Sequence, residues 1–300
     1  MWTLKSVESI DPSDAFGANL TIEYNNGRVW RLMPRRNPDV NKSWIANSTR
    51  LLYQKLAVDR LTDARIAGKD VDLTDGVKAA QSALAAAKKI ALVASGHGTI
   101  EDNAALLALK DSLGDKAEVF GGSWLPVGSA DGIALSGDPV ANRAGVKLLG
   151  IADNLDQLAE RAGEFDAVLV FNHDLWAADA AKAAKLDRIP VRIVLASWID
   201  ATVAKATIAV GIRAWAEARG AMVNSKDRVQ LMQAGPVVPN PALEPAWRVL
   251  ACLAGAAWAN ETDAFKAAGA RAPRLAGLTY RTIGPMGAVL PQPALAAAGA

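Results

Sequence analysis

The chain has 300 residues, 51% of them apolar and 21% charged, with a formal net charge of +2 and one cysteine. That length supplies a full hydrophobic core, in one large domain or two smaller ones, and the near-neutral charge excludes the broad basic footprint of a nucleic-acid binder. A single thiol, Cys252, excludes an internal disulfide, a structural zinc site built from cysteines and a four-thiolate iron–sulfur cluster.

The N-terminus, MWTLKSVESIDPS, has no apolar signal region. The run SIDPSDAFGANL places Asp11, Asp14 and Ala18 at spacings that invite two readings. Asp11 and Asp14 are candidate ligands for a hard cation, but Glu8 is their only acidic neighbour. The simpler reading is a self-capped helix start, with Asp11 as N-cap, Pro12 at the first helical position and Asp14 at the third. ANLTIEY and RVWRLMP alternate around Asn26-Gly27, a pair suited to a tight hairpin turn. A Pro- and Asn-punctuated loop follows, and STRLLYQKLAVDRL is a predicted helix with Leu52 and Leu56 on one stripe.

AGKDVDLTD marks a predicted boundary near residue 67. Beyond it, DGVKAAQSALAAAKK is helical and IALVASGHG is a buried strand entering a Gly96-His97-Gly98 loop. EDNAALLALKDSLG carries Leu106, Leu109 and Leu113 at helical spacing. AEVFGG, FDAVLVF, VRIVLAS and ATIAVGI are further short apolar strands, with helices at about 153–163 and 176–186. The predicted class is therefore α/β: a small β-rich module over 1–66, a mostly parallel Rossmann-like α/β domain over 67–270 and an extended Pro-, Gly- and Ala-rich tail over 271–300. A helix over 241–259 puts Leu243, Trp247, Leu250, Ala254 and Trp258 on one face; its most apolar part contains Arg248 and is too short to span a bilayer. The whole reads as soluble and intracellular.

The remaining candidates have bland readings as well. Gly96-His97-Gly98 lacks the third glycine of a dinucleotide fingerprint and the Lys-Ser/Thr of a P-loop, so a tight strand-to-helix turn suffices. His97 has no partner in sequence reach. His173 follows a strand, where α/β folds place ligands, but adjacent His173 and Asp174 point apart on extended backbone. Arg28, Arg31, Arg35 and Arg36, with Trp30 and Trp44 nearby, suit solvation or docking on an acidic neighbour more than nucleic acid.

The N-terminal run from WTLKSVESIDPSDAFGANL to KSWIANSTRLLYQKLAVDRL resembles the molybdopterin-oxidoreductase-like region of the 75-kDa subunit family of NADH-quinone oxidoreductase (respiratory complex I), its mitochondrial member included. Members that keep a cluster there carry C-x2-C-x3-C ahead of the hairpin and a fourth cysteine in the tryptophan-containing loop. Laid on this sequence, those positions are Asp11, Asp14, Ala18 and Ala46. The stretch WAEARGAMVNSKDRVQLMQAGPVVPNPALEPAWRVLACLAG resembles a second family pattern, with Asn224, Arg228, Gln230 and Trp247 at matching places and Asp227 where the family has glycine. The central unit is similar in outline, and the loop at Gly96 corresponds to one that faces a pterin dinucleotide in the family.

The resemblance implies a cluster-free, molybdenum-free remnant: no cofactor, no metal and no catalytic residue. It implies a structural role in a peripheral arm, on the cytoplasmic or matrix side of a membrane, beside a separate ferredoxin-like chain that bears the clusters. The competing expectation is a reduced molybdopterin- or nucleotide-dependent oxidoreductase, formate dehydrogenase-like, with Ser123, Ser129 or Ser136 as a metal ligand.

Overall fold

The computed structural model describes residues 3–235 and 238–292. Three strands come first: β1 (Lys5–Ile10), β2 (Asn19–Asn25) and β3 (Arg28–Pro34), an antiparallel sheet in sequential order. Asn26 and Gly27 both take positive φ (49° and 71°), the mirror-image turn expected of that pair. Alternation decides the sheet's inner face: Leu20, Ile22, Val29 and Leu32 are buried and pack with Ile45 and Ala216.

The larger sheet contains β4 (Ala64–Ile66), β5 (Lys69–Val71), β6 (Ile90–Val93), β7 (Ala117–Phe120), β8 (Ala167–Phe171), β9 (Val191–Ala196) and β10 (Ile208–Gly211), in the order β5-β4-β10-β9-β8-β6-β7. β6 through β10 pair in parallel, and the hairpin β4–β5 adds an antiparallel edge. The protein is thus α/β, with a small antiparallel sheet preceding a mostly parallel one. β6 and β8 are buried at every position because helices cover both faces. On one face pack the helices Leu73–Ala86, Ile100–Leu113, Ala246–Ala254 and Glu261–Arg271; the other is covered by short helical turns between 155 and 188.

A third sheet pairs β11 (Gly220–Val223), β12 (Arg228–Met232) and β13 (Ala288–Val289). Residues 271–292, part of the predicted tail, are not simply extended. They hold the turn Pro273–Leu275, the helix Tyr280–Ile283 and β13, because buried Leu275, Tyr280, Ile283 and Leu290 anchor them to the core. The rest of that tail lies outside the described residues.

Four local expectations change. The residues after Asp11 form turns, not a helix: Asp11 and Asp14 each accept from the N–H two residues on, and Asp14 also accepts from Ser136 N. The helix predicted over STRLLYQKLAVDRL is α-helical only at Asn47–Leu51; the tighter 3₁₀ turns of Leu52–Ala57 bring Leu52, Tyr53 and Leu56 onto the small sheet. The helix expected over 241–259 is Ala246–Ala254, ended by Gly255 at φ 69°. Those expected near 153–163 and 176–186 break into short turns, the latter capped by Asp174 and Asp179.

Gly76 lies inside the helix Leu73–Ala86, where a Cβ would come 2.3 Å from the Cβ of Ala64 on β4. Alanine is ordinarily the better helix former by about 1 kcal/mol. Here the steric cost dominates, so Gly76→Ala is expected to lower stability by about 1–3 kcal/mol, read as a lower urea midpoint with an unchanged m-value.

Candidate functional site

Strand order locates the site. Among the parallel strands, β6 sits between β7 and β8, so the chain leaves β6 to one side and returns on the other. Such a reversal opens a crevice beyond the carboxyl ends of the two central strands, the usual ligand position in an open α/β sheet. His97 follows β6 and His173 follows β8, and their ring centroids stand 5.5 Å apart, edge to face. In the sequence each histidine is solitary; only the strand order joins residues so far apart.

Local structure fixes both rings. Asn103, on the helix Ile100–Leu113, accepts from Ser95 N and donates to Ser95 O and Thr99 O, so the loop carrying His97 is held from below. Thr99 and Asp102 form a reciprocal cap for that helix. Asp102 also accepts from Trp247 N at 2.7 Å, so one buried carboxylate serves the starts of two helices. Asn172 adopts φ 42°, turning the chain so that His173 is buried in the crevice. Burial, with the Arg143 guanidinium nearby, depresses His97 to about 4. Burial, then His97 and Arg143, depresses His173 to about 3. Both imidazoles are therefore neutral at physiological pH, each with one N–H donor and one nitrogen acceptor.

The crevice opens into a cavity of about 590 Å³ bounded by His97, His173, Trp198, Trp215, Arg213 and Leu125, among others. The Gly96-His97-Gly98 loop is not a free anion cradle. A Cβ on Gly96 would meet Val140, and one on Gly98 would meet Phe171. Asn142 accounts for both flanking carbonyls, donating N–H to Gly96 O and its amide to Gly98 O. The first turn of the helix beyond carries the buried acids Glu101 and Asp102, and the N–H groups of Thr99 and Asp102 are already spent in the reciprocal cap.

Asp11 and Asp14 serve two different tasks. Asp11 is buried; one oxygen accepts from Ser13 N and Oγ, the other from Thr49 Oγ1 at 2.5 Å. Burial raises its pKa, and those hydrogen bonds oppose the rise. Asp14 accepts from Phe16 N and reaches across to Ser136 N, Ser136 Oγ and Gly137 N, clamping the loop that ends at Val140. Ala18 is fully buried and its carbonyl accepts from Asp11 N. Ala46, half-buried, caps the helix Asn47–Leu51 without a side-chain bond. Among the described residues, no three His, Cys, Asp or Glu side chains converge as a metal site.

The C-terminal motif residues are structural ties. Asn224 accepts from Lys226 N and Arg228 N and donates to Phe16 O. Gln230 donates to Gly17 O and Asn19 Oδ1. Arg228 reaches Asp39 and the carbonyls of Met286 and Gly287, and Asp227, at φ 56°, pairs with Arg274. The basic cluster is largely engaged: Arg28 stacks over Trp30, Arg31 pairs with Glu23 and Arg35 donates to Pro285 O. Ser136 is held by Asp14, Ser123 Oγ accepts from Leu125 N, and Ser129 is exposed. Cys252 is exposed.

Comparison with known proteins gives four matches. Residues 4–54 match the family described as NADH-ubiquinone oxidoreductase NDSU1/NuoG-like, 4Fe-4S domain. The chain is 36% identical over 117 residues to the mitochondrial NADH dehydrogenase [ubiquinone] iron-sulfur protein 1 of Solanum tuberosum, covering 37% of this chain and 16% of that protein. It is 44% identical over 62 residues to the NADH-ubiquinone oxidoreductase 75 kDa subunit of Reclinomonas americana, covering 21% of this chain and 9% of that protein. The matches thus span less than a fifth of those relatives' own length. A formyltransferase/hydrolase complex from Methylorubrum extorquens aligns over 64% of this chain and 98% of that chain at TM-score 0.36 and 13% identity.

The contacts around Asp14 and Glu101 make two tests available. Asp14→Ala leaves Ser136 and Gly137 without their acceptor and is expected to cost about 1–3 kcal/mol, with limited proteolysis then cutting between residues 126 and 138. Glu101 is fully buried, accepting from Tyr280 O–H at 2.5 Å and Ala221 N at 2.9 Å, and burial pushes its pKa from 4.5 up to about 7. The folded state therefore holds this proton more tightly than the unfolded chain. Its contribution is complete below pH 4.5 and is lost as pH rises through about 7, a loss on the order of 3 kcal/mol. Glu101→Gln is expected to remove that component from the dependence of urea stability on pH.

Proposed function

We propose that this NuoG-like chain is a non-catalytic structural subunit of the peripheral arm of an NADH-quinone oxidoreductase, packed beside the module that passes electrons from NADH toward quinone. The family relationship over residues 4–54 supplies the complex. The donor chemistry supplies the role. The cluster named in the family description does not fit the residues present, because the one cysteine is exposed on the helix Ala246–Ala254, away from the N-terminal sheet.

The observation that carries this reading is the fate of the four positions that the resemblance assigns to cluster ligands. Asp11 and Asp14 are spent on Ser13, Thr49, Ser136 and Gly137, while Ala18 and Ala46 offer no donor atom. Where the resemblance places two of the cluster ligands, this chain has carboxylates that hold protein to protein. The partners are the other peripheral-arm subunits, including a ferredoxin-like chain bearing the clusters. Trp44, Leu51 and Val58, all exposed on one connected segment, are offered as part of the contact surface. Attachment to a membrane is indirect; among the described residues no helix is long and apolar enough to cross one.

Affinity purification of the tagged chain from its native host is expected to recover flavin- and iron–sulfur-bearing subunits in constant proportion. Substituting Trp44→Asp with Leu51→Asp should release them while leaving the fold unchanged by circular dichroism. Recovery of the wild-type chain free of those subunits sinks the proposal. Stoichiometric molybdenum or tungsten in the purified chain, read by mass spectrometry, would favour the oxidoreductase alternative.

A further inference from the structure

We infer that the crevice between β6 and β8 binds a small planar organic anion, its ring against His173 and its anionic group at Arg213. This inference is independent of the complex proposed above and rests on three observations.

The first is position and size. The cavity lies at the reversal of strand order, and its volume of about 590 Å³ falls within the range of small-molecule sites. The second is His173. It is 5% exposed and lines the cavity, yet neither ring nitrogen has a hydrogen-bond partner among the described residues. A buried polar group left this way is costly, and one donor and one acceptor on a neutral ring suit the edge of a heteroaromatic molecule. The third is Arg213. Half-buried on the same cavity, it spends Nε on Leu243 O and makes no ion pair among the described residues. Its position is tied to the rest of the crevice, because Ser197 Oγ shares its hydrogen between Arg213 O and Asn172 Oδ1, and Ser95 Oγ donates to Asn172 O. Strand ends β6, β8, β9 and β10 are thereby bound into one rim.

Charge and shape narrow the ligand. Asp59, Asp102, Asp174 and Asp200 also border the cavity; Asp102 accepts from Thr99 N and Trp247 N, Asp174 and Asp200 from the backbone N–H groups of Thr202 and Val203, and Asp59 is exposed to solvent. Arg213 and Lys55 remain as the cations. Trp198 and Trp215 supply flat apolar wall. A diphosphate has no seat here: Val140 fills the glycine loop, and Glu101 and Asp102 occupy the adjoining helix start. What fits is a single ring system with one carboxylate- or phosphate-type group, not a dinucleotide.

The test uses nicotinate, a planar monoanion with a ring nitrogen, and nicotinamide, its uncharged analogue, titrated into the full chain by calorimetry. Nicotinate is expected to bind saturably below millimolar concentration, at least about tenfold more tightly than nicotinamide. Arg213→Gln should remove that preference, and His173→Phe should weaken both ligands. In wild-type protein, ¹⁵N imidazole resonances of His173 should shift with nicotinate, a readout that does not depend on any variant folding. Failure of nicotinate to saturate, equal binding of both probes, or an unmoved His173 resonance overturns the inference.

Discussion

Everything in this molecule depends on a buried network of side-chain amides that joins segments distant in sequence. Asn41 accepts from Asn19 N and donates to the carbonyls of Asn19 and Trp44. Asn19 Oδ1 accepts from both Asn37 and Gln230, while Asn37 and Asn19 donate onward to Met286 O and Pro285 O. Asn19, Asn37, Asn41 and Gln230 are each about 1% exposed or less. In such a place a missing partner costs more than a made bond contributes, so the network specifies one arrangement of the small sheet, β12 and the 285–286 segment. A second buried tie, Arg60 with Glu217, joins the small module to the rim of the parallel sheet; Glu217 also accepts from Ala214 N, and Arg60 donates to Ser197 O. Removing either partner would leave a charge buried alone.

Within that frame the N-terminal segment is cross-linked by two carboxylates. They accept several bonds, from Ser13 and Thr49 at Asp11 and from Phe16, Ser136 and Gly137 at Asp14. Gly17 shows how close the resulting packing is: with φ 65°, a Cβ there would fall 2.4 Å from Gln230 Oε1. Asn224 and Gln230 act at this junction, donating to the carbonyls of Phe16 and Gly17.

The strands and the two long central helices were legible in the sequence because each is decided locally. Period-two alternation marks β2 and β3, apolar runs bounded by polar turns mark β6 to β10, and leucines at three- and four-residue spacing mark the helix Ile100–Leu113. The short helices were overestimated because alanine-rich segments score as continuous helix, whereas Asp174, Asp179 and Asp200 restart the hydrogen-bonding frame at each cap. The pairing of His97 with His173 was not legible, since it depends on β8 lying beside β6. One signal was available: both histidines end apolar strands, and the first and third strands of such a run flank the crevice when the order reverses. Arg213 carried no sequence signal, because its making no ion pair among the described residues is a fact of the assembled rim.

The amide network also fixes a sequence of events in time. Asn19 waits for a carbonyl 266 residues further along, and Asn37 for one 249 residues away. During synthesis the hairpin and the bonds among Asn19, Asn37 and Asn41 can form early, but the bonds to Pro285 O and Met286 O wait until residues 285–286 emerge from the ribosome. The native arrangement is therefore reached by closure of a very long loop, a slow kind of step. Any lesion in the 285–290 segment would then be felt first at the opposite end of the polypeptide.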